Sequence, residues 1–404
     1  MSALANWPKV PLAEAYWFQE GSGVRNWQFT TSGIKLLNVA KIEKTGTLNL
    51  SKTDRHLDEA EVAKRYSHFL VNAGDLVIAS SGISFDDDGL LRTRGAFVEE
   101  SDLPLCLNTS TIRFKAVNGI SDLRYLRFWL DAPEFRSQIT KLVTGTAQQN
   151  FGPSHLKATK IRLPPLPEQR RIAEILDKAD TLRAKRCAAL AQLDTLTQSI
   201  FLDMFGDPAT NPRGWPQKAI GEIGSVITGN TPPRANPGHY GSAIEWIKSD
   251  NINTPHYYLT RAGEGLSESG KSVARTVPAG SILVTCIAGS PDCIGNAAMT
   301  DREVAFNQQI NALVPHNGDS HFLYNQFLVG KRLVQQASTA GMKGIVSKGR
   351  FERIKLVIPP IKLQCDFTQR VLTVERLAAM HRASLAQLDA LFASLQHRAF
   401  RGEL

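Results

Sequence analysis

Leu190-Ala191-Gln192-Leu193-Asp194 returns unchanged as Leu385-Ala386-Gln387-Leu388-Asp389, 195 residues further along the chain. The same offset relates Gln169 to Gln364, Leu196 to Leu391, Phe205 to Phe400, and Lys160-Ile161-Arg162-Leu163-Pro164-Pro165 to Lys355-Leu356-Val357-Ile358-Pro359-Pro360. An offset that stays fixed over this distance marks an internal repeat that tolerates no insertion, and a repeat of this period decides the fold before any short motif does. Ahead of it the two copies drift. Trp7-Pro8 and Glu14 match Trp215-Pro216 and Glu222, and Ala73-Gly74-Asp75-Leu76-Val77 matches Ala279-Gly280-Ser281-Ile282-Leu283, at offsets from 206 to 208. The reading is four segments: variable regions 1–162 and 209–357, and length-locked regions 163–208 and 358–404.

The locked regions read as long helices. After the proline pair, Ile172, Ile175, Leu176, Ala179, Leu182, Leu190, Leu193, Leu196, Ile200 and Met204 recur at helical spacing. Glu168 adds first-turn negative charge, and Gly206-Asp207-Pro208 is a stop signal. Phe367, Val371, Val374, Leu377, Leu385, Leu388, Phe392 and Leu395 draw the same stripe in the second copy. A helix from 168 to 205 would be about 57 Å long. Its apolar stripe needs a partner, and its own copy is the obvious one. The alternative is two ordinary core helices of separate domains. The eight-residue step from Leu182 to Leu190 predicts a local irregularity near Arg186 and Cys187, and Lys362-Leu363-Gln364-Cys365-Asp366 leaves the start of the second helix open.

The variable regions read as mixed α/β. Ile34–Val39, Asp75–Ala79 and Thr111–Phe114 are strand-like, followed by a helix over Leu123–Leu142 interrupted at Pro133. The second copy gives Ile244–Ile247, Ser281–Thr285, Ile310–Val314 and a helix near Phe322–Val334. The expected fold class is α/β: two mixed globular domains separated by two long antiparallel, coiled-coil-like helices, with a pseudo-two-fold repeat.

Composition narrows the function. Of 404 residues, 42% are hydrophobic and 21% charged, which excludes a disordered chain. Five cysteines, none in a C-x-x-C pair, point to reduced thiols rather than a disulfide framework or a zinc site. No apolar run is long enough to cross a bilayer and the N-terminus lacks a signal-peptide pattern, so a cytoplasmic location is expected. A net charge of +9 attracts polyanions, without any Lys/Arg tract to suggest a basic arm.

The stretch Leu163-Pro164-Pro165-Leu166-Pro167-Glu168-Gln169-Arg170-Arg171-Ile172-Ala173-Glu174-Ile175-Leu176 resembles the signature that opens the central helix of Type I restriction-modification specificity subunits. Gly229-Asn230-Thr231-Pro232, Trp246-Ile247-Lys248-Ser249, Ile294-Gly295 and Asn307-Gln308-Gln309-Ile310-Asn311 fit the same family. The resemblance implies two target-recognition domains that each read half of a bipartite site on double-stranded DNA, with the helices setting the gap. It implies partners as well: two modification (methyltransferase) subunits and two restriction/translocase subunits. S-adenosylmethionine, ATP and Mg would then belong to those partners, and no cofactor or metal to this chain. The fixed length acquires a reason, since a residue gained in a spacer helix would shift one reader along and around the duplex.

Arg pairs bidentately with guanine and Asn or Gln with adenine. The candidate DNA contacts are therefore Arg25, Lys35, Asn38, Ser81, Arg92, Arg94, Gln148 and Asn150 in the first copy. In the second they are Arg234, Lys248, Ser249, Asn251, Gln308, Lys343, Lys348 and Arg350. About half of such contacts should go to phosphate. Two motifs are set aside. Gly265-Leu266-Ser267-Glu268-Ser269-Gly270-Lys271-Ser272 satisfies the phosphate-loop pattern, but a polar stretch precedes it and Pro278 follows closely. Asp86-Asp87-Asp88 reads as a solvated acidic loop. The proline pairs are not an adenine-methyltransferase motif, because no Asn or Asp precedes them and no aromatic follows, so no catalysis is expected. The competing readings are a scaffold without sequence-specific binding and a nucleotide hydrolase acting through Lys271.

Overall fold

The computed structural model describes residues 7–404 except 44–45, 52, 54, 86–88, 144–149, 255–256 and 340–343. Chain contacts divide it into two compact units, one of residues 1–187 with 383–404 and the other of residues 188–382. Each unit holds one variable region and one half of each long helix.

In the first unit the strands β1 (Tyr16–Glu20), β2 (Ile34–Leu37), β3 (Leu76–Ala79), β4 (Gly95–Phe97), β5 (Leu105–Leu107) and β6 (Thr111–Ala116) lead into α1 (Leu123–Asp131), α2 (Pro133–Leu142) and α3 (Leu166–Phe205). β1, β6, β3 and β4 form an antiparallel sheet in that order, while β2 pairs in parallel with β5. The second unit repeats the plan with β7 (Gly224–Thr228), β8 (Tyr240–Ile247), β9 (Ile282–Thr285), β10 (Ala297–Met299), β11 (Val304–Phe306), β12 (Ile310–Pro315), α4 (Ser320–Val329) and α5 (Ile361–Arg401). Its antiparallel sheet runs β7, β12, β9, β10, and β8 is parallel to β11. The expected strands are present. The helix expected over Leu123–Leu142 is split at Ala132, ahead of Pro133, as the lost amide requires.

The repeated Gln169 and Gln364 explain part of the lock. Gln169 is fully buried; its Oε1 accepts the Asp122 amide at 3.0 Å and its Nε2 donates to Pro164 O and Ile120 O, both at 2.8 Å. Gln364 repeats this, accepting the Asp319 amide at 3.1 Å and donating to Pro359 O at 2.8 Å. Asp122 and Asp319 in turn cap α1 and α4 through their side chains. One glutamine thus ties the start of a long helix to the start of a domain helix in each copy; the two tied positions are 47 residues apart in the first and 45 in the second, and what the bond to the proline carbonyl holds equal is the five-residue step from Pro164 to Gln169 and from Pro359 to Gln364.

Both long helices begin at the same repeat position, Leu166 and Ile361, 195 residues apart, which settles the start of the second. Both are unbroken, so the irregularity expected near Arg186 and Cys187 is absent; Arg186 is half-buried and Cys187 exposed on the continuous helix. Gly206, with φ of +76°, ends α3 as the stop signal predicts. The helix ends pack into the domain cores. Ile172, Leu176, Ala399 and Phe400 join Tyr125, Trp129 and Phe135 in the first unit. Phe201, Phe205, Phe367 and Val371 join Phe322 and Leu313 in the second. Within the first unit the two helices run antiparallel, since Arg171 donates to Leu404 O at 2.9 Å and Arg183 to Asp389 Oδ1 at 2.7 Å. The stripe is not wholly covered: Leu182 and Leu391 in the first unit and Leu377 and Leu196 in the second are 43–50% exposed.

Candidate nucleic-acid interface

In the second unit the loop after β7 passes so close to Asn307 that a Cβ on Gly229 would lie 2.2 Å from its carbonyl oxygen, which only glycine permits. The next residues bind their surroundings in turn. Asn230 accepts the Arg275 amide at 2.8 Å, and Thr231 donates to the Gln308 carboxamide. Beyond them Arg234 is fixed by a bidentate pair with Glu264, which also takes Lys248 at 2.6 Å. The Arg234 guanidinium lies 4.4 Å over the Tyr240 ring and 5.2 Å over Trp246, and the Lys248 ammonium is 5.2 Å from the Trp246 ring. Hydrogen bonds from Arg234 and then Lys248 hold the Glu264 carboxyl below its ordinary range. Three candidates, Arg234, Lys248 and Gln308, thus surround one loop, with both cations held on an aromatic platform by a single carboxylate.

Asn251 is placed differently. It is 9% exposed, its Oδ1 accepts the Lys248 amide at 3.0 Å and its Nδ2 donates to Arg261 O at 3.1 Å. Its amide shapes the turn Ser249–Asn251 that presents Lys248, and Ser249 is half-buried in that turn. Lys348 and Arg350 are exposed on the short helix Lys348–Glu352, where Lys348 faces Glu352 at 3.6 Å. Lys343 and Gln148 fall outside the described residues, as do Asp86, Asp87 and Asp88.

The first unit places its candidates in two groups. Asn38 follows β2 as Lys248 follows β8, and its Oδ1 caps the next turn by accepting the Ala40 amide at 3.0 Å. Lys35 is half-buried on β2 itself. Arg25 opens the turn Asn26–Gln28, whose shape is set by the buried Gln28: it accepts the Arg25 amide at 2.9 Å and donates to Glu61 at 2.6 Å and the Tyr66 hydroxyl at 2.8 Å. In the second group, Arg92 and Arg94 line a cleft of about 250 Å³ with Gly82, Arg127 and Asp131. Ser81 precedes Gly82, whose amide donates to Asn150 at 3.2 Å, and Arg94 donates to Ile42 O at 3.2 Å.

Sequence reasoning passed over Glu264, Tyr240 and Arg275, and also Trp27, which at 78% exposure is the most exposed large apolar side chain among the described residues. Trp246 stood inside a quoted phrase, but the ring's role as a seat for two cations shows only in three dimensions. Trp27 had a signal: a tryptophan two residues after Arg25, between Asn26 and Gln28.

The phosphate-loop pattern folds into a two-residue edge strand, Gly265–Leu266, and a short helix, Glu268–Val273. Ser267 Oγ accepts the Gly270 amide at 3.1 Å, a Cβ on Gly270 would meet His239 O at 1.9 Å, and Lys271 pairs with Glu303 at 2.9 Å. The amide and the lysine that would hold a phosphate are both engaged. Among the described residues no cluster of His, Cys, Asp and Glu is arranged to hold a metal, and no helix is long and apolar enough to cross a membrane. Burial pushes the Cys106 thiol up to about 11 and Cys286 up to about 12, so neither is an activated nucleophile.

The model of the Type I restriction modification DNA specificity domain matches twice, over residues 36–192 and 212–389. The HindI specificity subunit of Haemophilus influenzae is 28% identical over 205 residues, 48% of this chain and 42% of that protein. The EcoKI specificity subunit of Escherichia coli is 24% identical over 305 residues, covering 67% of this chain and 63% of its own length. The chain thus matches less than half of the first of these relatives. A solved chain from a study of complex assembly and conformational transition of the type I R-M system superposes with a TM-score of 0.57 at 17% identity, each chain covered in full. The Type I S subunit of M. genitalium does so with a TM-score of 0.55 at 15% identity, covering 99% of this chain and 97% of that one. These two likenesses bear on the fold, whereas the family model matches both variable regions and most of both long helices, and on that match the chain belongs to the Type I restriction-modification DNA specificity family.

Proposed function

We propose that this chain is the DNA-sequence-specificity subunit of a Type I restriction-modification complex. Each variable region, 1–162 and 209–357, reads one half of a bipartite site, and the helical regions 163–208 and 358–404 set the gap. The observation that carries this is the division of labour inside each repeat. The cap-tying glutamines and sheet order are shared by both copies, while Arg234, Lys248 and Gln308 in one and Arg25 and Arg94 in the other stand on loops that differ, with Arg92 on a two-residue strand beside Arg94. A shared scaffold with divergent polar loops is what two readers of different base sequences need.

The chain itself is non-catalytic in this reading. Methyl transfer with S-adenosylmethionine comes from two modification subunits, and ATP- and Mg-dependent translocation and cleavage from two restriction subunits, all in the cytoplasm. Two equivalent dockings are supported by the exposed leucines, which repeat at the locked offset: Leu182 with Leu377 and Leu196 with Leu391. The test is the adenine methylome of a methylation-free bacterium expressing this chain with its modification subunit. A split motif with one methylated adenine in each half is expected. Soluble, co-purifying subunits that leave no new motif would overturn the proposal in favour of a scaffold.

A further inference from the structure

One charged cluster on the long helices of the first unit is not repeated in the second. In the first unit Arg183 donates to Asp180 at 2.8 Å and to Asp389 at 2.7 Å, with its guanidinium 4.6 Å over the Phe392 ring. At the locked offset the counterparts in the second unit are Ala378 for Arg183, Thr197 for Phe392, and the carboxylates Glu375 and Asp194 for Asp180 and Asp389. Both acids are kept; the cation between them and the ring beneath it are gone. Beside the two acids is a cleft of about 370 Å³ whose lining includes Asp194, Thr197, Glu375, Arg382, Tyr257 and Asn296, while Ala378 itself is buried next to it.

The neighbouring cations do not replace Arg183. Arg382 stands 3.6 Å from Glu375 and makes no ion pair with Asp194 among the described residues. Lys331, at the rim, donates to Asp292 O at 2.5 Å. Burial, and behind it the Asp194 charge, raise the Glu375 carboxyl above its usual range against the pull of Arg382. The group that such a pair of acids accommodates is known from the same molecule: a planar guanidinium, which can bond both carboxylates at once where an ammonium acts as a point charge.

We propose that the Asp194–Glu375 cleft of the second unit is a socket for a guanidinium group brought by another molecule, filling the place that Arg183 fills in the first unit. The guanidinium belongs either to an arginine of a bound protein subunit or to a free guanidino compound.

The probe is methylguanidinium, titrated into the full chain by calorimetry at constant ionic strength, with methylammonium as control. One saturable site that prefers methylguanidinium is expected. Asp194→Asn and Glu375→Gln weaken it at least tenfold, and Ala378→Arg abolishes it by filling the socket from within. Arg183→Ala gives the discriminating result, raising the number of sites from one to two by opening the first unit's copy. Thermal unfolding of each variant confirms that it is folded. Absence of saturable binding in the wild-type chain, or binding indifferent to both Asp194→Asn and Glu375→Gln, overturns the proposal. The source is read in the complex with the modification subunit. A bound arginine excludes the probe and makes assembly at least tenfold weaker in Asp194→Asn, whereas a free compound leaves assembly unchanged and the probe able to bind. None of these readings requires sequence-specific DNA binding, so the socket and the proposed function stand or fall separately.

Discussion

At the scale of the residue, Trp27 and Gln169 show two ways in which a side chain could serve the proposed DNA reader. Trp27 cannot withdraw into the core because the turn that carries it is pinned through Gln28 to Glu61 and Tyr66. A rigidly displayed indole beside Arg25 is suited to stack on or wedge between bases. Trp27→Ala is expected to weaken binding to the duplex target about five- to 150-fold, given the 1–3 kcal/mol that base–aromatic stacking contributes, with thermal unfolding unchanged; fluorescence anisotropy with the purified complex measures it, and equal affinities would remove Trp27 from the interface. Gln169 acts inside the fold. Its replacement by alanine leaves the Asp122 amide and two carbonyls without their partner, and should cost about 2–3 kcal/mol, with Gln364→Ala costing a similar amount in its own unit, both read by denaturant unfolding. The sequence signalled Gln169 through its repeat but could not say what it bonds. It marked Asn251 by its chemistry alone, and burial turned that amide to shaping a turn.

At the scale of the element, the repeat made the long helices legible, while the irregularity read from the step between Leu182 and Leu190 is absent from the unbroken α3. Periodicity cannot tell a stripe that packs on a partner helix from one that packs on a domain, and here the ends do the latter: Ile172 and Leu176 in one core, Phe201 and Phe205 in the other. The strands were legible because their apolar runs are buried, as in Leu76–Ala79 and Ile282–Thr285, all eight residues of which are buried. The pairing of β2 with β5 and of β8 with β11 was not, because parallel order is set by the path of loops that carry no periodic signal. For α3 as a spacer, four residues inserted between Leu193 and Thr197 add about 6 Å of helix, a little under two base-pair steps. The methylome of that variant should show a longer unspecified gap between unchanged half-sites. A changed half-site sequence would mean that the helix does more than hold distance.

At the scale of the whole molecule, the two units differ in more than their loops. The first buries an ion pair at 3.6 Å between Arg113 on a central strand and Asp75 just before its neighbour, where the second has Ala312 and Ser281. The two interiors thus differ around a common plan, and separate interiors argue for separable functions. If each reads its own half-site, damage to one reader should leave the other's preference intact. Arg234→Ala with Lys248→Ala removes both cations from the Tyr240–Trp246 platform without touching the first unit. The double variant should relax the sequence requirement in one half-site, with a loss of about 1–3 kcal/mol of discrimination for each base contact removed, and keep the other half-site and the gap as they were. Arg92→Ala with Arg94→Ala should do the converse. A screen of randomised duplexes bound by each variant complex measures both halves at once. Relaxation of both half-sites by either double variant would show that the units read jointly, and equal loss of affinity on every sequence would place these cations on phosphate rather than on bases.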